Sequence, residues 1–460
     1  MILDQTMLSE LLGIGLSSGA DFAEVFAENT RQGLMTLIGG KVEDVTDRTI
    51  SGVGIRLLRG VRSVYASTSD LTRSGLLRCA REAAAAMGEA GEAAGVVLSE
   101  RIFPNIHPIR RVTSGAANAD QAAVLHLAYD GAGAVSGEIA QVQARLLSWD
   151  RNILIANSEG LLTEDRQVRT RLAVTAVASD GAQNQSGSCS PGMHAGMELF
   201  DAVDPAAVGR KAARQAVTML HAGYCPAGKM TVAIENGFGG VIFHEACGHS
   251  LEATSVATGR SQFCGKLGQV IASEKVTAID DGTQPNAWGS NNIDDEGRPT
   301  QRLTLIEKGV LKNYLVDRLG SRRMDMEPTG CGRREDYHFE PTSRMSNTYI
   351  APGSDDNGEI IASMEYGLYA KSMGGGSVNP VTGEFNFAVN EGYMVRNGAI
   401  AEPVRGATLI GKGSEILMNI DRVGTCLDSA QGMCGSSSGS IPVNVGQPLI
   451  RVSSITVGGR

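Results

Sequence analysis

Apolar and polar side chains alternate along much of this chain, broken at short intervals by glycine, and this restricts the possible folds more than any other feature. Residues 140–155 and 166–178 both follow the pattern, with a short apolar run at 161–163 between them. Every second residue then lies on one face, which predicts half-buried antiparallel strands. Residues 52–58 and 62–67 read the same way, joined by a turn at Arg59-Gly60. So do 385–390 and 392–395, read as a strand pair and followed by an Asn397-Gly398 hairpin turn. The 58 glycines among 460 residues are nearly twice the usual share of about 7%. Tight turns and close backbone approaches are therefore expected more than long helices.

Helical spacing is confined to a few places. Leu8, Leu11, Leu12 and Leu16 predict a helix over 7–16. Asp70 reads as the cap of a second helix reaching Met87, and 115–133 reads as a third. Asp204-Pro205 opens a fourth, with Val208, Ala212, Ala216 and Leu220 on its apolar face. The last runs over 239–257. Low-complexity composition at 88–96 and glycines at 223–228 divide the chain into expected domains at 1–90, 100–222 and 225–460. The fold class expected is α+β: an N-terminal α/β region with antiparallel strands, then a β-rich domain carrying the helix with the HExxxH motif.

The formal charge of −9 gives no basic footprint for nucleic acid, so no nucleic-acid partner is expected. Asp4 and Glu10 precede the first positive charge at Arg31, unlike the basic start of a signal peptide. No run of about 18 apolar residues suggests a membrane span. The expectation is a soluble, cytoplasmic protein. Its eight scattered cysteines fit free thiols better than a disulfide framework.

The chemistry concentrates at His244, Glu245, Ala246, Cys247, Gly248 and His249. Two imidazoles suit a borderline metal such as Zn²⁺, and a neighbouring carboxylate suits a general base toward the water that such an ion activates. Zinc peptidases with HExxH place both histidines on one helix face. Here the spacing is i, i+5, which on an ideal helix leaves the rings about 140° apart. Either the two histidines are unrelated, or the helix is underwound, as in a π-bulge, with Gly248 easing the distortion.

The longer match favours the second. HEACGHSLEA (244–253) resembles the metal-motif helix of the TldD/PmbA metallopeptidases, on the TldD side of that family. The resemblance continues through blocks at 293–317, 344–350, 374–398, 403–417 and 433–448, in the family's order. It implies a third metal ligand in a Cys-Gly pair near the C-terminus, here Cys434, in preference to Cys426 or Cys247. The Ser436-Ser437-Ser438 continuation departs from the family's pattern. The resemblance further implies a Zn²⁺-dependent peptidase of flexible or unfolded peptides, with Glu245 as catalytic base. It also implies a dimer, either with itself or with a PmbA-like chain. An extended peptide could add to a strand edge.

Glu252 reads either as a solvated or capping carboxylate or as a group orienting His249. Gly374, Gly375 and Gly376 read as turns or as a site of close backbone approach. No role follows for Asp294, Asp295 and Glu296, which read as a turn, or for His338 beside Arg333-Arg334. His107, His126, His194 and His221 lack metal spacing. The alternative function is a metal-stabilised regulatory or interaction protein without peptidase activity.

Overall fold

The computed structural model describes residues 3–88, 91–92, 95–379 and 381–460. The expected linker at 88–96 therefore lies partly outside the described residues. Strands make up 43% of the chain and helices 23%, the mixed α and β content expected.

Residues 22–193 build one eight-stranded sheet around four long strands. Phe22–Ile38 pairs antiparallel with Lys41–Arg59 on one side and Ile139–Asn157 on the other, and Ile139–Asn157 pairs with Leu161–Ser179. The strand expected at 52–58 starts eleven residues earlier. Residues 41–49 are exposed and mostly polar, so they carry no burial signal, but their backbone pairs with Phe22–Ile38 except at a bulge that skips Glu43.

Alternation gives this sheet two different faces. One packs under helices: Val25, Ile55 and Leu154 meet Gln5–Ser17 and Arg73–Met87, while Met35, Leu146 and Leu172 meet Asn118–Gly133 and Pro205–Leu220. The cap of Arg73–Met87 is Thr72, not Asp70. The Thr72 hydroxyl accepts from Gly75 N, and Asp70 in turn accepts from Thr72. Asp204 caps the last of these helices with proline at its start, as expected.

The opposite face turns toward the C-terminal region. Phe26, Ile153 and Ile155 pack with Ile293 and Tyr337. Beside them runs a fully buried ion network in which Arg56 bridges Glu24 and Glu296, and Arg334 pairs with Glu24. Removing one member would strand a buried charge, which is strongly destabilising. The network ties the N-terminal sheet to the loops that follow the motif. Asp294, Asp295 and Glu296 are thus buried struts and not merely a turn.

The C-terminal region holds a mixed eight-stranded sheet and a six-stranded sheet, with one large apolar core between and around them. The expected pair at 385–390 and 392–395 is one continuous strand, Glu384–Arg396, paired with Tyr366–Val378. Register shifts in that pairing disturb the alternation near Glu391 and mimic a strand break. The Asn397-Gly398 turn is present, with both residues at positive φ. Gly376 sits tightly: a Cβ there would lie 2.1 Å from Asn386 O, so its freedom serves the neighbouring strand.

Candidate metal centre

Strand Gly228–Ile234 delivers the chain, through a 3-10 turn at Gly237–Gly240, into a helix that begins at Val241. Val241, Ile242, Phe243 and Ala246 are buried in the main core, which fixes the outward direction of Glu245. A Cβ on Gly240 would lie 2.4 Å from Gly446 N, so only glycine lets the helix start rest on strand Gly439–Gln447. That strand forms a hairpin with Asp428–Ser436, where Cys434 faces Ile441.

The helix is shorter than the expected 239–257, and it contains no π-bulge. It ends at Ala246, Cys247 leaves helical geometry with φ −130° and ψ −49°, and Gly248–Leu251 forms a 3-10 turn. The break at Cys247 removes the angular problem of the i, i+5 spacing. The imidazoles of His244 and His249 lie edge to face with centroids 5.0 Å apart. Gly248 is needed for space: a Cβ there would meet Met345 Sδ at 2.1 Å.

Cys434 Sγ lies 3.2 Å from His244 Nε2 and 3.2 Å from His249 Nε2. All three donor atoms fall within 4.8 Å of one another. Tetrahedral zinc with these ligands would hold N and S donors about 3.4–3.6 Å apart, given bonds of roughly 2.0 and 2.3 Å. The residues present fit the group.

His249 turns Nδ1 toward Glu252 Oε1 at 3.2 Å, which leaves Nε2 facing Cys434. A carboxylate on the far nitrogen is the usual way a metal-binding imidazole is oriented. Burial pushes the Cys434 thiol up, but the two histidines outweigh it and hold it well below its ordinary range. Burial pulls His249 down, while the Glu252 charge and then Cys434 raise it well above its ordinary value. Glu245 Oε2 stands 3.8 Å from His249 Nε2, on the same side of the cluster.

The serine turn after Cys434 has buried anchors. Ser438 Oγ accepts from Arg344 Nη1 and from Thr342 Oγ1, both at 2.9 Å. Arg344 also donates to the Cys434 carbonyl. Trp288 Nε1 donates to Gly432 O at 2.9 Å. Local spacing gave no sign of Arg344, Trp288 or Met345, because all three reach the hairpin or the motif from distant loops. A cavity of about 800 Å³ runs beside the hairpin, lined by Phe238, Met433, Gly374 and Gly375.

The remaining candidates lie elsewhere. Cys247 is buried and Cys426 exposed, and neither joins the donor cluster. His126 and His221 are exposed, and His338 pairs with Asp336 at the surface. His107 and His194 are buried and stacked at 4.0 Å, a pairing their sequence separation concealed.

Family models for the PmbA/TldA metallopeptidases match three stretches: domain 1 at 23–87, the central domain at 113–220 and the C-terminal domain at 227–459. A Haemophilus influenzae protein named metalloprotease TldD homolog is 34% identical over 467 residues, covering 99% of this chain and 96% of its own. A Saccharolobus solfataricus protein named zinc metalloprotease TldD homolog is 28% identical over 312 residues, 66% of this chain and 69% of its own. The fold matches a Thermotoga maritima protein described as a candidate DNA gyrase modulator, with TM-score 0.80 at 22% identity over 98% and 99% of the two chains. It also matches TldE from Thermococcus kodakarensis, with TM-score 0.78 at 17% identity over 98% and 100%. With family models spanning most of its length and a full-length relative above 30% identity, this chain belongs to the PmbA/TldD metallopeptidase family.

Proposed function

We propose that this protein is a zinc-dependent peptidase acting on flexible or unfolded peptides, with His244, His249 and Cys434 as the zinc ligands and Glu245 as the catalytic base. The observation that carries the reading is the convergence of two Nε2 atoms and one Sγ, with the Glu245 carboxylate 3.8 Å from His249 Nε2. A purely structural zinc would have no use for Glu245. Zinc bound there would polarise the scissile carbonyl and acidify a water.

The protein's own groups do the rest. Glu245 takes the water proton and returns it to the leaving amine. Glu252 is a positioning residue that holds the His249 ring, and Arg344 steadies the Cys434 backbone. Asp428–Ser436 is the outer strand of its sheet, an edge to which an extended peptide can add. The 800 Å³ cavity beside it gives such a chain room. In this reading the working unit is a dimer, either of this chain or with a PmbA-like partner, in the cytoplasm. Among the described residues no helix is long and apolar enough to cross a membrane.

The test measures bound zinc and cleavage of a flexible peptide library. Glu245→Gln should retain zinc and lose cleavage by about 10²–10⁴-fold, the usual worth of a positioned base. Cys434→Ala should lose zinc. Full hydrolysis by Glu245→Gln would remove the base from the mechanism, and unchanged zinc in Cys434→Ala would remove the third ligand.

A further inference from the structure

A second cavity, of about 450 Å³, lies between the N-terminal sheet and the loops of the C-terminal region. Its volume is in the range of small-ligand sites. Leu34, Leu147, Trp149, Met433 and Ile441 supply an apolar wall. Met433 also lines the cavity beside the metal hairpin and is the residue next to Cys434, so the two spaces adjoin.

The polar wall carries unbalanced charge. Arg151 is shared between Glu28 and Asp295, and Arg334 is matched by Glu24. Arg169 and Arg333 are each only 4% exposed, yet neither forms an ion pair among the described residues. Arg169 donates to Trp288 O, Ser290 O and the side-chain oxygens of Gln167 and Asn291. Arg333 donates to Met345 O and Pro442 O. All of these acceptors are neutral. Asp165 and Asp295 act on Arg169, and Asp295 and Asp280 on Arg333, but without a direct ion pair. Buried charges are ordinarily paired, so two guanidiniums without a contacting carboxylate on a cavity wall leave room for an anion.

Glu28, on the same wall, agrees with this. Its Oε1 accepts from Thr30 and Arg151, while its buried Oε2 has no partner. Burial, against the pull of Arg151, pushes this carboxyl up, so it is a weak source of counter-charge for the wall. Burial, and then the neighbouring Arg333 and Arg151, pull Arg169 down to about 9, outweighing the opposing pull of Asp165 and Asp295.

We propose that this cavity binds a carboxylate with an apolar body, and specifically the free C-terminal carboxylate and last apolar side chain of a peptide. This deepens the peptidase reading and rests on it: the cavity would anchor the end of a chain whose earlier part passes the metal centre.

Binding can be read without turnover, because Trp149 lines the cavity and Trp288 is the chain's only other tryptophan. Intrinsic fluorescence and calorimetry on the Glu245→Gln protein would compare N-acetyl-leucine, N-acetyl-leucinamide and hexanoate. The acid should bind about tenfold or more tightly than the amide, the worth of charge-assisted hydrogen bonds. Leu34→Glu, at a half-buried rim position, should abolish that preference by repulsion. Equal affinity for acid and amide, or no binding of either, would overturn the proposal whether or not peptide cleavage is observed. Hexanoate binding without N-acetyl-leucine binding would overturn the peptide assignment, by pointing to a free small acid.

Discussion

Gly240 and Gly248 flank the first histidine, and both exclude a side chain, but against different neighbours. The distances allow the outcomes of Gly240→Ala and Gly248→Ala to be told apart. At Gly248 the new methyl would meet Met345 Sδ at 2.1 Å and Cε at 2.9 Å, the end of a flexible side chain. Methionine can move aside, so the cost should be that of ordinary overpacking, about 1–3 kcal/mol, and Met345→Ala should relieve it. At Gly240 the methyl would meet Gly446 N at 2.4 Å and its C and O at 2.5 Å, all backbone atoms of a paired strand. Ordinary contact begins near 3.4 Å, so helix and hairpin would have to part by roughly 1 Å. Metal–ligand distances tolerate only about 0.2 Å. Gly240→Ala should therefore lower zinc affinity well over tenfold in a protein that remains folded. Zinc competition against a chromophoric chelator, with circular dichroism as the control, measures both. A Gly240→Ala protein with wild-type zinc affinity would refute the claim that this contact sets the distance from helix to Cys434.

Glu252→Gln keeps the shape but removes the charge beside His249 Nδ1, and zinc affinity should fall about 10–100-fold, with partial recovery in Glu252→Asp. No change would return Glu252 to a capping role. His107 accepts from Asn286 N through Nδ1, and burial pulls it down to about 4. The unfolded chain therefore binds more protons than the native one between about pH 6.5 and 4. Stability should be full above pH 6.5 and fall by up to about 3 kcal/mol as pH drops to 4. Urea unfolding of His107→Gln should have a flatter slope across that window, and an unchanged slope would show that another group is responsible.

The strands at 140–155 and 166–178 were legible because one face of each is apolar and the other is not. Residues 41–49 were not, since both of their faces are wet and they are held by backbone pairing and exposed polar contacts such as Arg31 with Asp47. Residue identity also marked His244, Glu245 and His249 as metal chemistry, but helical geometry alone argued against their meeting. The resemblance pointed to Cys434, which nothing in its own surroundings recommended.

Sequence by itself determined the donor types, the alternation that makes sheets and the glycines that permit close approach, because these are properties of single residues and short spacings. Tertiary structure decided whether the donors share a point. The break at Cys247 turns His249 around, Gly240 seats the helix on Gly446, and the hairpin brings Cys434 to 3.2 Å from both imidazoles. Those are contacts between segments nearly two hundred residues apart, and no local pattern encodes them. The same holds for Arg169 and Arg333, whose burial without a contacting carboxylate becomes visible only in the folded chain.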